Sequence, residues 1–196
     1  MADILAFLDK KAGDLFHIAD QVWDFAEVGF QEVKSSKVQA DYLEACGFSV
    51  KRGVGGVPTA FIAEWGSGKP VIGYLGEFDA LAGVSQELSP ERKPRVVGGP
   101  GHGCGHNVLG TGALGAAVAL KYALEETGTK GTVRYYGCPA EELLAGKVYM
   151  ARAGVFDDLD VAITWHGGST NTVRLGSGNA MNSAKFRFHG KTAHAA

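Results

Sequence analysis

The sequence predicts an α/β protein in which a mixed, largely parallel sheet is flanked by helices. Segments whose apolar side chains recur at three- and four-residue steps alternate with short apolar runs of strand length. Two of these runs, "TVRYYGC" and "DVAITWH", are apolar enough to be buried inside a sheet. Turn-forming stretches such as "GSGKP" separate the segments. This alternation is typical of a sheet that carries helices on its faces.

The amino-terminal part is expected to form two helices and three strands. The helical spacing of apolar side chains over residues 3–27 predicts an amphipathic helix. A second helix is predicted from about Glu32 to Cys46, where Gly47 supplies a stop signal. Three short strands are predicted to follow in "FSVKRGV", "TAFIAEW" and "VIGYLG".

The rest of the chain continues the alternation. A helix is predicted from Asn107 to Thr127 and closed by Gly128. The buried strand "TVRYYGC" is expected next, followed by a helix from Pro139 to Ala153 and by the buried strand "DVAITWH".

Glycines inside the helix after Asn107 indicate close packing. Gly110, Gly112 and Gly115 each cost roughly 0.5 to 1 kcal/mol relative to alanine in a helix. We therefore expect this helix to lie tightly against the sheet. Its amino terminus is expected beside Cys104 and His106, where the partial positive charge of the helix end favours a thiolate.

Composition and charge exclude several functional classes. The 196-residue chain is 45% hydrophobic and has a formal net charge of -2, so no basic excess favours nucleic acid as a partner. No basic leader precedes an apolar run, and no uninterrupted apolar segment approaches the ~20 residues of a membrane span. We therefore expect a soluble, cytoplasmic protein with no membrane partner. The odd number of cysteines indicates reduced thiols rather than a disulfide framework.

The stretch "GGPGHGCGHNVLG" contains the most distinctive pattern in the chain. His102, Cys104 and His106 alternate with glycines, so an extended backbone can direct Cys104 and His106 into one cavity. Two imidazoles and a thiol suit a metal ion. The alternatives are a solvated glycine-rich loop and a catalytic cysteine and histidine pair. A phosphate-binding loop is disfavoured because the GxxxxGK[ST] pattern is missing from the sequence.

Further polar residues follow predicted strands. Glu141 and Glu142 in "YGCPAEE" are expected in the first turn of a helix. They are either functional carboxylates or acidic residues that only stabilise the positive end of the helix dipole. His166 ends "DVAITWH" and is either structural or a ligand. Asp79 in "GEFDAL" either orients a ligand histidine or caps a loop. The carboxyl edge of an open sheet is where ligand sites collect, so these residues are expected to meet Cys104 there.

The motifs "WDFAEVGFQE", "GEFDALAG", "GHGCGHN", "PAEE", "TWH" and "GKTAHAA" occur in an order that resembles the M20 family of metallopeptidases and amidohydrolases. The similarity is to its aminoacylase-like branch and covers essentially the whole chain. The resemblance implies a site for two divalent metal ions, Zn²⁺ or Mn²⁺, with Cys104 bridging. The implied ligands are Cys104, His106, Glu142 and His166. It also implies Glu141 as the general base and Asp79 as a supporting carboxylate.

The resemblance implies an amidohydrolase that cleaves N-acyl or N-aroyl amino acids, including aminobenzoyl-glutamate. Members of the family are longer and carry an inserted lid domain. Residues 1–182 are therefore expected to form the amino-terminal part of the metal-binding catalytic domain, and residues 183–196 to begin the lid with its first strand. The full-length form is expected to be a homodimer in which His194 reaches an active site and stabilises the developing oxyanion. The 196-residue chain alone is expected to be inactive.

Three other functions remain open from the sequence. One is a non-catalytic remnant that binds a metal or a thiol reagent. Another is a hydrolase in which Cys104 acts as the nucleophile and holds no metal. The third is an M20-type dipeptidase.

Overall fold

Five strands form one mixed sheet in the computed structural model, which describes residues 3–173 and 176–194. The strands are β1 (Ser49–Arg52), β2 (Phe61–Ser67), β3 (Val71–Glu77), β4 (Gly131–Cys138) and β5 (Val161–Ile163). Their order across the sheet is β1-β2-β4-β3-β5. The predicted fold class, a mixed sheet flanked by helices, is confirmed.

The parallel part of the sheet determines where functional side chains can meet. Strand β3 pairs parallel with β4 and with β5, while β1 and β2 complete the sheet through antiparallel pairs. Glu77 at the end of β3 is in register with Cys138 at the end of β4. The carboxyl ends of β3, β4 and β5 therefore lie at one edge of the sheet.

Three of the predicted helices form close to their expected bounds. The helices are α1 (Ile4–Phe25), α2 (Val33–Ala45), α3 (His106–Thr127) and α4 (Gly146–Arg152). Asp3 caps the start of α1 because its side chain accepts the Ala6 N–H at 2.9 Å. Gly128 ends α3 with a left-handed φ of 62°, as its position in the sequence predicts.

Both faces of the sheet are covered. On one face, a core cluster joins residues of α1, α2 and α3 to strand residues such as Phe61 and Tyr135. On the other face, Tyr136 packs with Met150 of α4 in a second cluster. Tyr135 and Tyr136 are adjacent in β4 and point to opposite faces, as alternate strand residues do.

Helix α3 is the central helix of the larger core. It is long and apolar enough to cross a membrane, yet half of its most apolar stretch is buried inside the protein. The prediction that its glycines face the sheet is only partly right. A Cβ on Gly110 would lie 2.3 Å from the Glu77 carbonyl oxygen of β3, whereas Gly112 faces Trp165 and Gly115 faces Leu15 of α1.

The predicted helix from Pro139 to Ala153 is wrong as one continuous element. The chain forms a short 3₁₀ turn at Glu141–Leu143, and α4 begins only at Gly146. Ala140 and Leu144 adopt left-handed conformations with φ of 54° and 52°. The Ala140 N–H donates to the buried carboxylate of Glu32 at 2.7 Å, so a tertiary contact replaces the helical pattern.

Two predicted strands differ from the structure. "DVAITWH" forms a strand only over Val161–Ile163, which is exposed at the edge of the sheet because β3 is its single neighbour among the described residues. Residues 183–194, expected to begin a lid strand, are exposed and carry no helix or strand. A single strand without a paired neighbour is not stable, and this segment pairs with no strand among the described residues, so its assignment to a lid stays a prediction. Residues 195 and 196 lie outside the described range.

Candidate active site

Asp79 connects three segments at the carboxyl edge of the sheet. It follows β3 and is buried, with 1% of its surface exposed. Its Oδ1 accepts a hydrogen bond from Nδ1 of His106 at 3.0 Å, and its Oδ2 accepts the Glu142 N–H at 2.9 Å. One carboxylate thus orients the imidazole at the start of α3 and anchors the turn after β4.

The other imidazole nitrogen of His106 faces two more carboxylates. His106 is fully buried, and its Nε2 lies 3.2 Å from Oε2 of Glu77 and 3.7 Å from Oε2 of Glu141. In the neutral ring, whose Nδ1–H donates a hydrogen bond to Asp79, Nε2 carries a lone pair that is available to a ligand. Donor atoms of Glu77, His106 and Glu141 all lie within 4.8 Å of one another.

Cys104 and His166 form the second half of the cluster. The Sγ atom of Cys104 lies 3.1 Å from Nε2 of His166, and the two residues join His106 in a group whose donor atoms are within 4.8 Å. Trp165 anchors this segment because its indole N–H donates to the Leu109 carbonyl oxygen of α3 at 3.0 Å. The ring packs against Gly112, where a Cβ would approach it to 2.9 Å.

Glu32 fixes the turn that carries the two adjacent glutamates. It is fully buried, and its carboxylate accepts hydrogen bonds from the Ala140 N–H at 2.7 Å and from the Thr59 hydroxyl at 3.1 Å. Ala140 immediately precedes Glu141 and holds a left-handed conformation. The Glu32 side chain therefore stabilises the backbone that directs Glu141 and Glu142 toward His106.

Replacing Glu32 with alanine should lower the free energy of unfolding by about 1 to 3 kcal/mol, because two buried donors lose their acceptor. Urea unfolding followed by circular dichroism measures the change. Glu32→Gln is the matched control, since its amide oxygen can still accept the Ala140 N–H and should retain most of the stability. An alanine variant as stable as the glutamine variant would contradict this role of Glu32.

The cluster carries an excess of negative charge. Burial and the neighbouring Glu142 carboxylate raise the pKa of the Cys104 thiol to about 11, and burial also raises the pKa of Glu141. Burial acts to lower the pKa of His106, but the hydrogen bond and charge of Asp79 outweigh it and raise that pKa. Without a metal ion, burial and the carboxylates outweigh the predicted effect of the helix terminus and favour the neutral thiol. A bound cation has the opposite effect, because its positive charge favours the thiolate form of Cys104.

A divalent metal ion fits the residues present. His106 Nε2, Glu77 Oε2 and Glu142 Oε1 are buried and have no hydrogen-bonding partner among the described residues. A buried polar atom without a partner is costly, and metal coordination satisfies it. The sulfur, nitrogen and oxygen donors match those that bind zinc and related metals.

The structure brings together six of the seven residues that the family resemblance implies as ligands or catalytic groups, while His102 instead donates a hydrogen bond to the Val22 carbonyl oxygen at 2.9 Å. Asp79, Cys104, His106, Glu141, Glu142 and His166 lie in the cluster. His194 lies in the exposed segment 176–194 and belongs to neither group of donor atoms found among the described residues. Glu77 was missed, although it ends β3 two residues before Asp79, a spacing in "GEFDAL" that can direct both side chains to one side of an extended segment.

A mixed sheet flanked by helices, with a thiol, imidazoles and carboxylates at its carboxyl edge, is typical of metal-binding hydrolases. Residues 74–192 match peptidase family M20/M25/M40. The chain belongs to this family, as its ordered motifs predict.

Individual relatives agree with this assignment. The chain is 53% identical over 184 residues to one of the subunits of p-aminobenzoyl-glutamate hydrolase from Escherichia coli, covering 91% of this chain and 37% of that protein. It is 32% identical over 188 residues to an IAA-amino acid hydrolase of Arabidopsis thaliana, covering 91% of this chain and 41% of that protein. The chain thus spans about two fifths of the length of the curated relatives it matches.

A solved structure shares the fold. A dinuclear metal binding peptidase of the M20 family from Bacillus subtilis superposes with a TM-score of 0.65 and 27% sequence identity. The match covers 85% of this chain and 44% of that chain.

Proposed function

We propose that the protein is a metal-dependent amidohydrolase that cleaves the amide between an acyl or aroyl group and an amino acid. The observation that carries this proposal is the convergence of Cys104, His106 and His166 donor atoms within 4.8 Å, beside a partly exposed Glu141. The similarity to p-aminobenzoyl-glutamate hydrolase of Escherichia coli makes aminobenzoyl-glutamate the first substrate to test.

The ligands in this proposal come from separate elements. Two divalent ions, Zn²⁺ or Mn²⁺, would be held by Cys104, His106, Glu142 and His166. When bound, such ions polarise the amide carbonyl and acidify water. Asp79 orients the His106 imidazole by accepting its Nδ1 proton, and the Gly167 carbonyl oxygen accepts the Nδ1 proton of His166 at 2.9 Å. Both imidazoles then present Nε2 to the site.

Proton transfer is assigned to Glu141. Its side chain is 31% exposed, so it is accessible from solvent while its Oε2 remains 3.7 Å from His106 Nε2. The carboxylate accepts a proton from the water that attacks the amide carbonyl and then delivers that proton to the leaving amine nitrogen. Such general acid and base assistance contributes roughly 10²- to 10⁴-fold in rate.

The arrangement of the longer protein is also part of the proposal. Residues 1–182 form the amino-terminal part of the catalytic domain, and residues 183–196 begin a lid. In a cytoplasmic homodimer, the lid carries His194 to the substrate, where its imidazole donates a hydrogen bond to the oxyanion. The segment that carries His194 is exposed in this chain, which leaves it accessible for such a contact.

The test is an assay of the purified protein, in its complete encoded length, with added Zn²⁺ or Mn²⁺. Substrates are aminobenzoyl-glutamate, simple N-acyl amino acids and dipeptides. Turnover of the first two classes that is lost on chelation and restored by metal supports an amidohydrolase. Preferential cleavage of dipeptides would instead assign an M20-type dipeptidase, and activity without metal would favour a cysteine nucleophile.

Cys104→Ser should reduce metal affinity at least tenfold, because a hydroxyl replaces a thiolate ligand. Competition with a chromophoric chelator measures the affinity. Cys46→Ser is the matched control, since Cys46 is a free, half-buried cysteine at the end of α2, outside the cluster. Unchanged metal stoichiometry and affinity in Cys104→Ser would remove Cys104 from the ligand set.

A further inference from the structure

The geometry points to Glu77 as an additional ligand of the metal ion bound to His106, with Lys147 holding the second oxygen of the Glu77 carboxylate. This inference rests on the proposed function, because it adds a ligand to the same site. It would give the site a carboxylate from the end of β3 beside the donors that follow β4, β5 and the glycine-rich segment.

Glu77 occupies a position that is difficult to explain without a partner on Oε2. The residue is 6% exposed at the end of β3, and Oε2 lies 3.2 Å from His106 Nε2. Neither atom has a hydrogen-bonding partner among the described residues, even though they face each other. A buried carboxylate oxygen in such a place is costly unless a proton or a cation satisfies it.

The separation between Glu77 Oε2 and His106 Nε2 favours a cation. Nδ1 of His106 donates to Asp79, so the neutral ring has a lone pair at Nε2. A metal ion binds the neutral ring, in which the lone pairs of Nε2 and of Glu77 Oε2 face each other at 3.2 Å, and bonding to both atoms removes their repulsion. With bonds of about 2.0 to 2.2 Å, neighbouring nitrogen and oxygen ligands lie roughly 3 to 3.5 Å apart. The observed separation agrees with that geometry.

Lys147 leaves only one oxygen of Glu77 available. Its ammonium group reaches from α4 and forms an ion pair with Oε1, so Oε2 is directed toward His106. This ion pair fixes the orientation of the carboxylate in the same way that Asp79 fixes the imidazole. Lys147 therefore acts as a positioning residue.

The experiment compares metal binding by the purified protein and its variants, using chelator competition for Zn²⁺ and calorimetry for Mn²⁺. Glu77→Gln should weaken binding of one metal ion at least tenfold while the protein retains cooperative unfolding. Glu125→Gln is the matched control, because Glu125 pairs with Lys121 on the exposed part of α3. Its metal affinity should stay within twofold of the wild type.

A second variant separates loss of the ligand from loss of the ion pair, because Glu77→Gln also leaves Lys147 without its partner. The double variant Glu77→Gln with Lys147→Met removes both charges and should show the same loss of metal affinity. Lys147→Met alone should weaken binding less, since Glu77 remains.

Binding of both metal ions by folded Glu77→Gln or by the double variant, within threefold of the wild type, would overturn the inference. That result is distinguishable from failure of the proposed function. If wild-type protein binds two ions and hydrolyses the substrate while the Glu77 variants bind equally well, only the role of Glu77 is wrong. If the wild-type protein binds no metal, both proposals are wrong.

Discussion

Glu141→Gln should lower kcat by at least a hundredfold while leaving metal binding within threefold of the wild type. The amide keeps the volume of the side chain but cannot accept a proton at neutral pH. General-base assistance is worth roughly 10²- to 10⁴-fold, so the loss should appear in kcat rather than in folding. Glu141 is suited to this role because it is partly exposed at a buried cluster of carboxylates.

The measurement uses the complete encoded chain with aminobenzoyl-glutamate as substrate, together with metal analysis of each preparation. Glu126→Gln is the control, because Glu126 is exposed near the far end of α3. Residual kcat within tenfold of the wild type would assign proton transfer to another group. A loss of metal in the same variant would instead identify Glu141 as a ligand.

Gly110→Ala should be among the most destabilising single methyl additions in the protein. The added Cβ would lie 2.3 Å from the Glu77 carbonyl oxygen and 3.0 Å from Nε2 of Gln39. The carbonyl belongs to the backbone of β3 and cannot rotate away, so α3 must move from the sheet. Overpacking of this kind costs about 1 to 3 kcal/mol.

The same displacement should weaken metal binding, because α3 begins at His106 and β3 ends at Glu77. Gly13→Ala is the matched control in another helix, since a Cβ there meets no atom within 4 Å. That change should stabilise the protein by roughly 0.5 to 1 kcal/mol. Urea unfolding separates the two cases, and a Gly110→Ala protein as stable as Gly13→Ala would contradict the close approach of α3 to β3.

Local sequence patterns were sufficient to predict the main helices and strands. The apolar spacing of α1 and the stop at Gly128 depend on neighbouring residues only, so the sequence identifies them. The cluster was also largely predictable, because parallel strands bring their carboxyl ends to one edge. Asp79, Glu141, Glu142 and His166 each follow a strand that ends at this edge.

Contacts between distant segments account for the features that the sequence did not predict. The helix expected from Pro139 breaks because Glu32, more than a hundred residues earlier, takes the Ala140 N–H. The local spacing in "GEFDAL" pointed to Glu77, but its ion pair with Lys147, 70 positions away, cannot be inferred from neighbouring residues. The thiolate expected at Cys104 requires a bound cation, because burial and carboxylates from other elements raise the pKa of the free thiol.

Strand β5 lies at the edge of the sheet, so the segment that carries His166 is the most easily detached part of the site. His166 follows a three-residue strand that pairs only with β3 among the described residues, and Trp165 fastens it to α3. The remaining donors are attached to the buried core, whereas this segment can open without disrupting that core. With His166 as a ligand, as proposed, metal binding and docking of β5 are thermodynamically linked, and a bound ion should protect the amides of Val161–Ile163 from hydrogen exchange.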